Sequence, residues 1–88
     1  MSEKNDAMAD KMDRVAQNWF NFHEDNWGPD SGSFNQSMVD CGNDDAKDLR
    51  AIGELIRTGH KTKAGAAADS LDTAVRDEIP ESVWEFIH

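Results

Sequence analysis

Tyrosine is absent from this chain, cysteine occurs once and proline twice among 88 residues. The single cysteine, Cys41, excludes an intramolecular disulfide framework, so packing alone must hold the fold. No apolar run reaches the ~18 residues of a membrane-crossing helix, and no basic start leads into an apolar stretch of the secretory kind. The cytoplasm is therefore the expected compartment. Large apolar side chains are scarce as well: Leu, Ile, Val and Phe together number 15. That lies under the ~20% below which a highly charged chain is short of core. Three Trp and four Met offset part of the deficit, because one buried aromatic removes about 150–250 Å² from water. Residues 1–88 read as a single acidic helical domain with a thin core.

Basic residues are the other shortage. Nine Lys and Arg stand against 18 Asp and Glu, a formal charge of −9. This balance opposes direct binding to nucleic acid or anionic lipid, both polyanions, and favours a basic protein partner. The excess is uneven. Residues 1–48 carry 11 acids and 4 bases, whereas residues 49–88 carry 7 and 5. A purpose for the negative field would belong mainly to the first half.

What is present is helical periodicity. Met8, Met12, Val15, Trp19 and Phe22 recur at spacings of 4, 3, 4 and 3, an apolar seam that predicts a helix from about Asp6 to His23. Glu3, Asp6, Asp10 and Asp13 repeat on the opposite side of that helix as a row of carboxylates. A cluster of turn formers, Asn26 to Gly32, interrupts. A short helix near Phe34–Val39, capped by Ser31 or Ser33, is expected to end at Gly42-Asn43-Asp44. Leu49, Ile52, Leu55 and Ile56 then mark a helix from Asp44 to Thr58, closed by Gly59. Within it, Gly53 points to a close helix crossing. Ala64, Ala67, Ala68, Leu71, Ala74 and Val75 mark a third from Thr62 to Asp77, and Pro80 opens a short last one over Glu81–Ile87. No stretch alternates apolar and polar residues. The expected class is all-α, a small bundle of three main helices plus a short C-terminal helix.

Chemistry finds little support. His23-Glu24-Asp25 points three ways around a helix rather than at one ion, and His23, His60, His88 and Cys41 lack metal-ligand spacing. Residues 26–40 do not keep the register of a calcium loop. A lone Cys41 reads as a packing residue rather than a nucleophile. Asp44 and Asp45 read as helix caps, and Arg57, His60, Lys61 and Lys63 as charges that complement a helix end and solvate a turn. No cofactor, metal site or enzymatic activity is expected.

The acidic row remains, extended by Glu24, Asp25 and Asp30 and flanked by the aromatics Phe20 and Trp27. Four carboxylates over ten helical residues cover about 15 Å, sparser than the phosphate every ~3.4 Å along one DNA strand. Acids from beyond this helix must contribute to any phosphate mimicry. The expected function is a non-enzymatic interaction protein that occupies the basic surface of a nucleic-acid-binding protein. Glu3, Asp6, Asp10, Asp13, Glu24, Asp25 and Asp30 would replace phosphates, and Phe20 and Trp27 would supply desolvated contact. In charge and size, though in no motif, it resembles small phage inhibitors of the anti-restriction and anti-CRISPR kind. The second reading is a helical homodimer or small assembly component joined through the Met8–Phe22 seam.

Overall fold

Ser2 sits in extended backbone, and its hydroxyl accepts a hydrogen bond from the Asn5 amide at 3.0 Å. This cap starts the first helix earlier than the apolar spacing marks it. The computed structural model describes residues 2–88 and shows five helices and no strand among them. They are α1 (Glu3–Trp27), α2 (Gln36–Arg57), α3 (Lys61–Asp69), α4 (Thr73–Arg76) and α5 (Glu81–Ile87). None of the described helices is long and apolar enough to cross a membrane.

The all-α class holds, but the division of the chain differs from the expected one in two places. Residues 36–57 form one continuous helix capped by Asn35, whose side chain accepts from the Met38 amide; neither Ser31 nor Ser33 is its cap. Gly42-Asn43-Asp44 does not break it. The third expected helix is divided instead. It ends at Asp69, and α4 forms after a turn in which the Ser70 hydroxyl donates back to the Ala66 carbonyl.

α1 and α2 form an antiparallel hairpin, and their contact explains the two α2 glycines. The buried positions of α1 are Ala9, Met12, Ala16 and His23; those of α2 are Val39, Gly42, Ala46, Leu49, Ile52, Gly53 and Ile56. Apart from Ile52, the α2 set repeats at 3, 4, 3, 4 and 3, a heptad seam built largely from small residues. A Cβ on Gly53 would lie 3.2 Å from Met12 Cβ and 3.3 Å from the Ala9 carbonyl oxygen. The expected close crossing is therefore real. At Gly42 the approach is tighter, with a Cβ placed 2.5 Å from His23 Cγ.

The seam of α1 is thus rotated relative to the predicted one. Met12 belongs to both, but Ala9, Ala16 and His23 replace Met8, Val15 and Phe22 at its centre. Met8, Val15 and Trp19 flank the core, packed against it while partly exposed, and Phe22 stays 50% exposed. No continuous Met8–Phe22 stripe is left for a second copy, because Met12 is fully buried within the chain itself.

The remaining helices close one end of the hairpin. Ala67, Ser70 and Leu71 lie beside Asp48, Ala51 and Ile52, so α3 runs back along α2. α5 descends α1 in the opposite sense, with the Lys11 ammonium donating to the Ser82 hydroxyl at 2.9 Å and Lys4 over the Phe86 ring. At the α3–α5 contact a Cβ on Gly65 would sit 2.7 Å from the Ile87 carbonyl oxygen. The core joins Ala9, Met12 and Ala16 to Leu49, Ile52, Ile56, Ala64, Ala68, Val75, Ile79, Val83 and Ile87. No residue between 17 and 45 belongs to its buried set. The hairpin therefore projects past the bundle, and the molecule measures 43 × 22 × 18 Å. Its radius of gyration, 13.6 Å, exceeds the roughly 12 Å of a compact chain this long.

Candidate interaction surface

The residues expected to meet a partner divide between three places along α1. Glu3 and Asp6 lie in its first turn, where carboxylates also complement the helix dipole. Asp10 and Asp13 turn towards α2. Arg57 Nη2 pairs with Asp10 Oδ1 at 3.0 Å and Asp13 Oδ2 at 3.3 Å, and Nη1 reaches Glu54 Oε2 at 3.4 Å. The hydrogen bond that Arg57 donates to Asp13 is the largest influence and raises the guanidinium pKa above its ordinary value; desolvation opposes it, and the charge of Asp13 with the bonds donated to Glu54 and Asp10 outweighs that opposition. Arg57 therefore stays cationic and clamps the two helices across their surface. The acidic row is not the free face that the sequence implies, since its middle pair serves this clamp.

Glu24, Asp25 and Asp30 form the third group, about 27 Å along the helix from Asp6. With Pro29 and Ser31 they line a hollow of about 250 Å³ at the hairpin turn. The Ser31 hydroxyl donates to the Gly28 carbonyl at 2.8 Å and so fixes the turn. No basic side chain lines this hollow.

The two flanking aromatics sit differently from their expected places. Phe20 is half-buried on the α2 side, in a shallow cleft with Gln17, Asn43, Ala46, Lys47 and Arg50. It faces basic residues rather than the acidic row. Trp27 is the last residue of α1 rather than a loop residue, and its ring meets those of Phe22 (5.7 Å, edge-on) and His23 (5.3 Å).

Other expectations shift in the same way. His23 is not a surface residue; it is 5% exposed, packed at tilted and edge-on angles among Trp19, Phe22 and Trp27, and its Nδ1 donates to the Trp19 carbonyl at 2.9 Å. Its i−4 partner explains how a polar ring tolerates that burial. His60 bonds Thr58 Oγ1, and His88 packs at a tilt on Trp84 and meets Asp69 at 3.0 Å. Cys41 is exposed on α2 and does not pack in the core. Asp44 and Asp45 lie inside α2 rather than at a cap; Asp45 Oδ2 accepts from the Trp19 indole at 3.1 Å. The basic group around Arg57 is dispersed, with Arg57 turned to α1 and Lys61 4.2 Å from the centre of the Phe86 ring.

Two exposed aromatics are not evident from the sequence: Phe22, whose spacing places it in the buried seam, and Phe34, at 55% exposure in the loop before α2. The signal for Phe22 is its position one residue before His23, which takes the buried place opposite Gly42. The chain matches no protein-family model, no curated protein and no solved structure.

Proposed function

We propose that this is a non-enzymatic interaction protein that engages the basic surface of a nucleic-acid-binding protein, its carboxylates standing where phosphates would. The observation that carries this reading is the surplus of unpaired negative charge. Of 18 carboxylates, four (Asp10, Asp13, Glu54 and Asp69) have an ionic partner among the described residues. Most of the remaining acids repel one another without an internal cation to offset them, which leaves their field free for an external one. Glu24, Asp25 and Asp30 form the centre of the site at the projecting end, and Glu3 and Asp6 extend it. Asp10 and Asp13 add field while tied to Arg57. The binding would be steered over distance and weakened by salt. Phage inhibitors of restriction or CRISPR nucleases are the class whose size and charge it shares.

The test is retention of proteins from a nuclease-treated lysate on the immobilised chain, with elution by stepped salt. A basic DNA- or RNA-handling protein should elute as salt rises. Glu24→Gln, Asp25→Asn and Asp30→Asn combined should weaken its binding roughly 3- to 100-fold, at ~0.2–1 kcal/mol per exposed pair. This triple is a cleaner probe than Asp10 and Asp13, whose removal would also release Arg57. Unchanged retention and salt dependence in both the triple and a Glu3→Gln/Asp6→Asn variant would sink the reading.

A further inference from the structure

Apart from the acidic hollow, α1 carries a second concavity of different character. Asn18, Trp19 and Phe22 line it with Glu78, from the turn between α4 and α5, and enclose about 140 Å³. This is room for the end of one long side chain rather than for a small-molecule substrate. Two of its walls are aromatic, and their positions are fixed from behind. The Trp19 indole is held by its bond to Asp45 (3.1 Å) and lies 6.0 Å from Phe22 with the ring planes 24° apart. Phe22 is in turn wedged edge-on against His23 (5.5 Å) and Trp27 (5.7 Å). Although half exposed, Phe22 is braced on its other side by this cluster. Glu78 supplies one carboxylate and has no ionic partner among the described residues.

The Phe86 ring near the other end carries two cations of the chain itself, Lys61 at 4.2 Å and Lys4 at 5.5 Å from its centre. No Lys or Arg lines the Trp19–Phe22–Glu78 cleft. It has an aromatic face, a carboxylate and an amide side chain, all partners of a flat cation, and none of them has one. A guanidinium satisfies such a set better than an ammonium, because it stacks flat on a ring while its edge donates to a carboxylate.

We propose that the Asn18–Trp19–Phe22–Glu78 cleft receives an arginine side chain of the partner protein. This deepens the function proposed above and rests on it: the surrounding acids bring a basic surface in, and the cleft selects arginine over lysine at one point. Arginine and aromatic side chains are the usual anchors of protein interfaces, which suits a site whose rigid wall costs little to order.

The experiment titrates the isotope-labelled protein at low salt with a hexa-arginine and a hexa-lysine peptide of equal charge and follows backbone and indole N–H signals. The arginine peptide should bind about two- to fivefold more tightly and move the signals of Trp19, Phe22 and Glu78, the increment of one exposed cation–π contact. Phe22→Ala and, separately, Glu78→Gln should erase that preference. Both sites are on the surface, and unchanged spectra elsewhere would confirm folding. Equal binding of the two peptides, with shifts confined to Glu24, Asp25 and Asp30, overturns the cleft and leaves the acidic-surface reading intact. Binding of neither peptide overturns both.

Discussion

Gly42→Ala is expected to lower the melting temperature, although alanine is the better helix former. On an exposed helix the exchange would stabilise by about 1 kcal/mol. Here the new methyl carbon would lie 2.5 Å from Cγ and 2.6 Å from Cβ of His23, well inside contact distance. His23 has little room to yield, since Trp19, Phe22 and Trp27 surround its ring and its Nδ1 is tied to a backbone carbonyl. Overpacking of this kind costs about 1–3 kcal/mol or somewhat more. A net loss of about 1–2 kcal/mol corresponds to roughly 4–16 °C in a domain of this size. Thermal denaturation of Gly42→Ala, His23→Ala and the double variant checks the cause. Alanine at 42 should be harmless or helpful once His23 has been truncated, giving a large coupling in the double-mutant cycle. Strict additivity, or a Gly42→Ala protein more stable than the parent, would refute the close approach.

Leu49→Ala is expected to be the more damaging substitution. Leu49 is fully buried in the shared core, among residues drawn from α1, α2, α3 and α5. Truncating such a side chain removes transfer energy and leaves a cavity, together about 2–5 kcal/mol. The whole chain, at ~0.05–0.15 kcal/mol per residue, has only about 4–13 kcal/mol of stability to lose. At the middle of both ranges roughly 40% of it should disappear, readable as a fall in the urea midpoint with an unchanged slope. Leu55→Ala, at a partly exposed position packed on the margin of the same core, should cost clearly less. Equal effects at the two positions would mean that the core lies elsewhere.

The all-α class, the first helix and the last are legible in the sequence because each rests on a local signal: heptad spacing, turn formers, a proline at a helix start. The phase of α1 is not. Met8, Val15 and Phe22 mark a seam by their size, but the side of a helix that meets its neighbour closely is chosen by what the neighbour leaves room for. Gly42, Ala46 and Gly53 leave room for Ala9, Met12, Ala16 and a flat His23, so the bulkier residues are displaced to the flanks. The same long-range match explains why Gly42-Asn43-Asp44 fails to end α2. The glycine serves the contact with α1, and the acid one residue further, Asp45, meets the Trp19 indole instead of capping a helix. The candidate surface is legible as composition only. Which acids stay free depends on Arg57, 44 residues beyond Asp13 in the chain, and no local pattern records that pairing.

The projecting end of the hairpin gives the molecule two rates of opening. Around Met12, Leu49, Ile52, Ile56 and Val83 the helices share one buried cluster, so amides there should exchange with solvent only on global unfolding. Beyond it, the buried contacts between α1 and α2 are a histidine, a glycine and Val39, which lies outside that cluster, beside the bond from the Trp19 indole to Asp45. Amides flanking the turn should exchange sooner, by local separation of the helix ends, and hydrogen-exchange mass spectrometry of the free protein reads the difference directly. Uniform protection along both helices would contradict it. A partner seated on this end would have to halt that breathing, so slowed exchange at the tip would report occupancy whatever the identity of the bound protein.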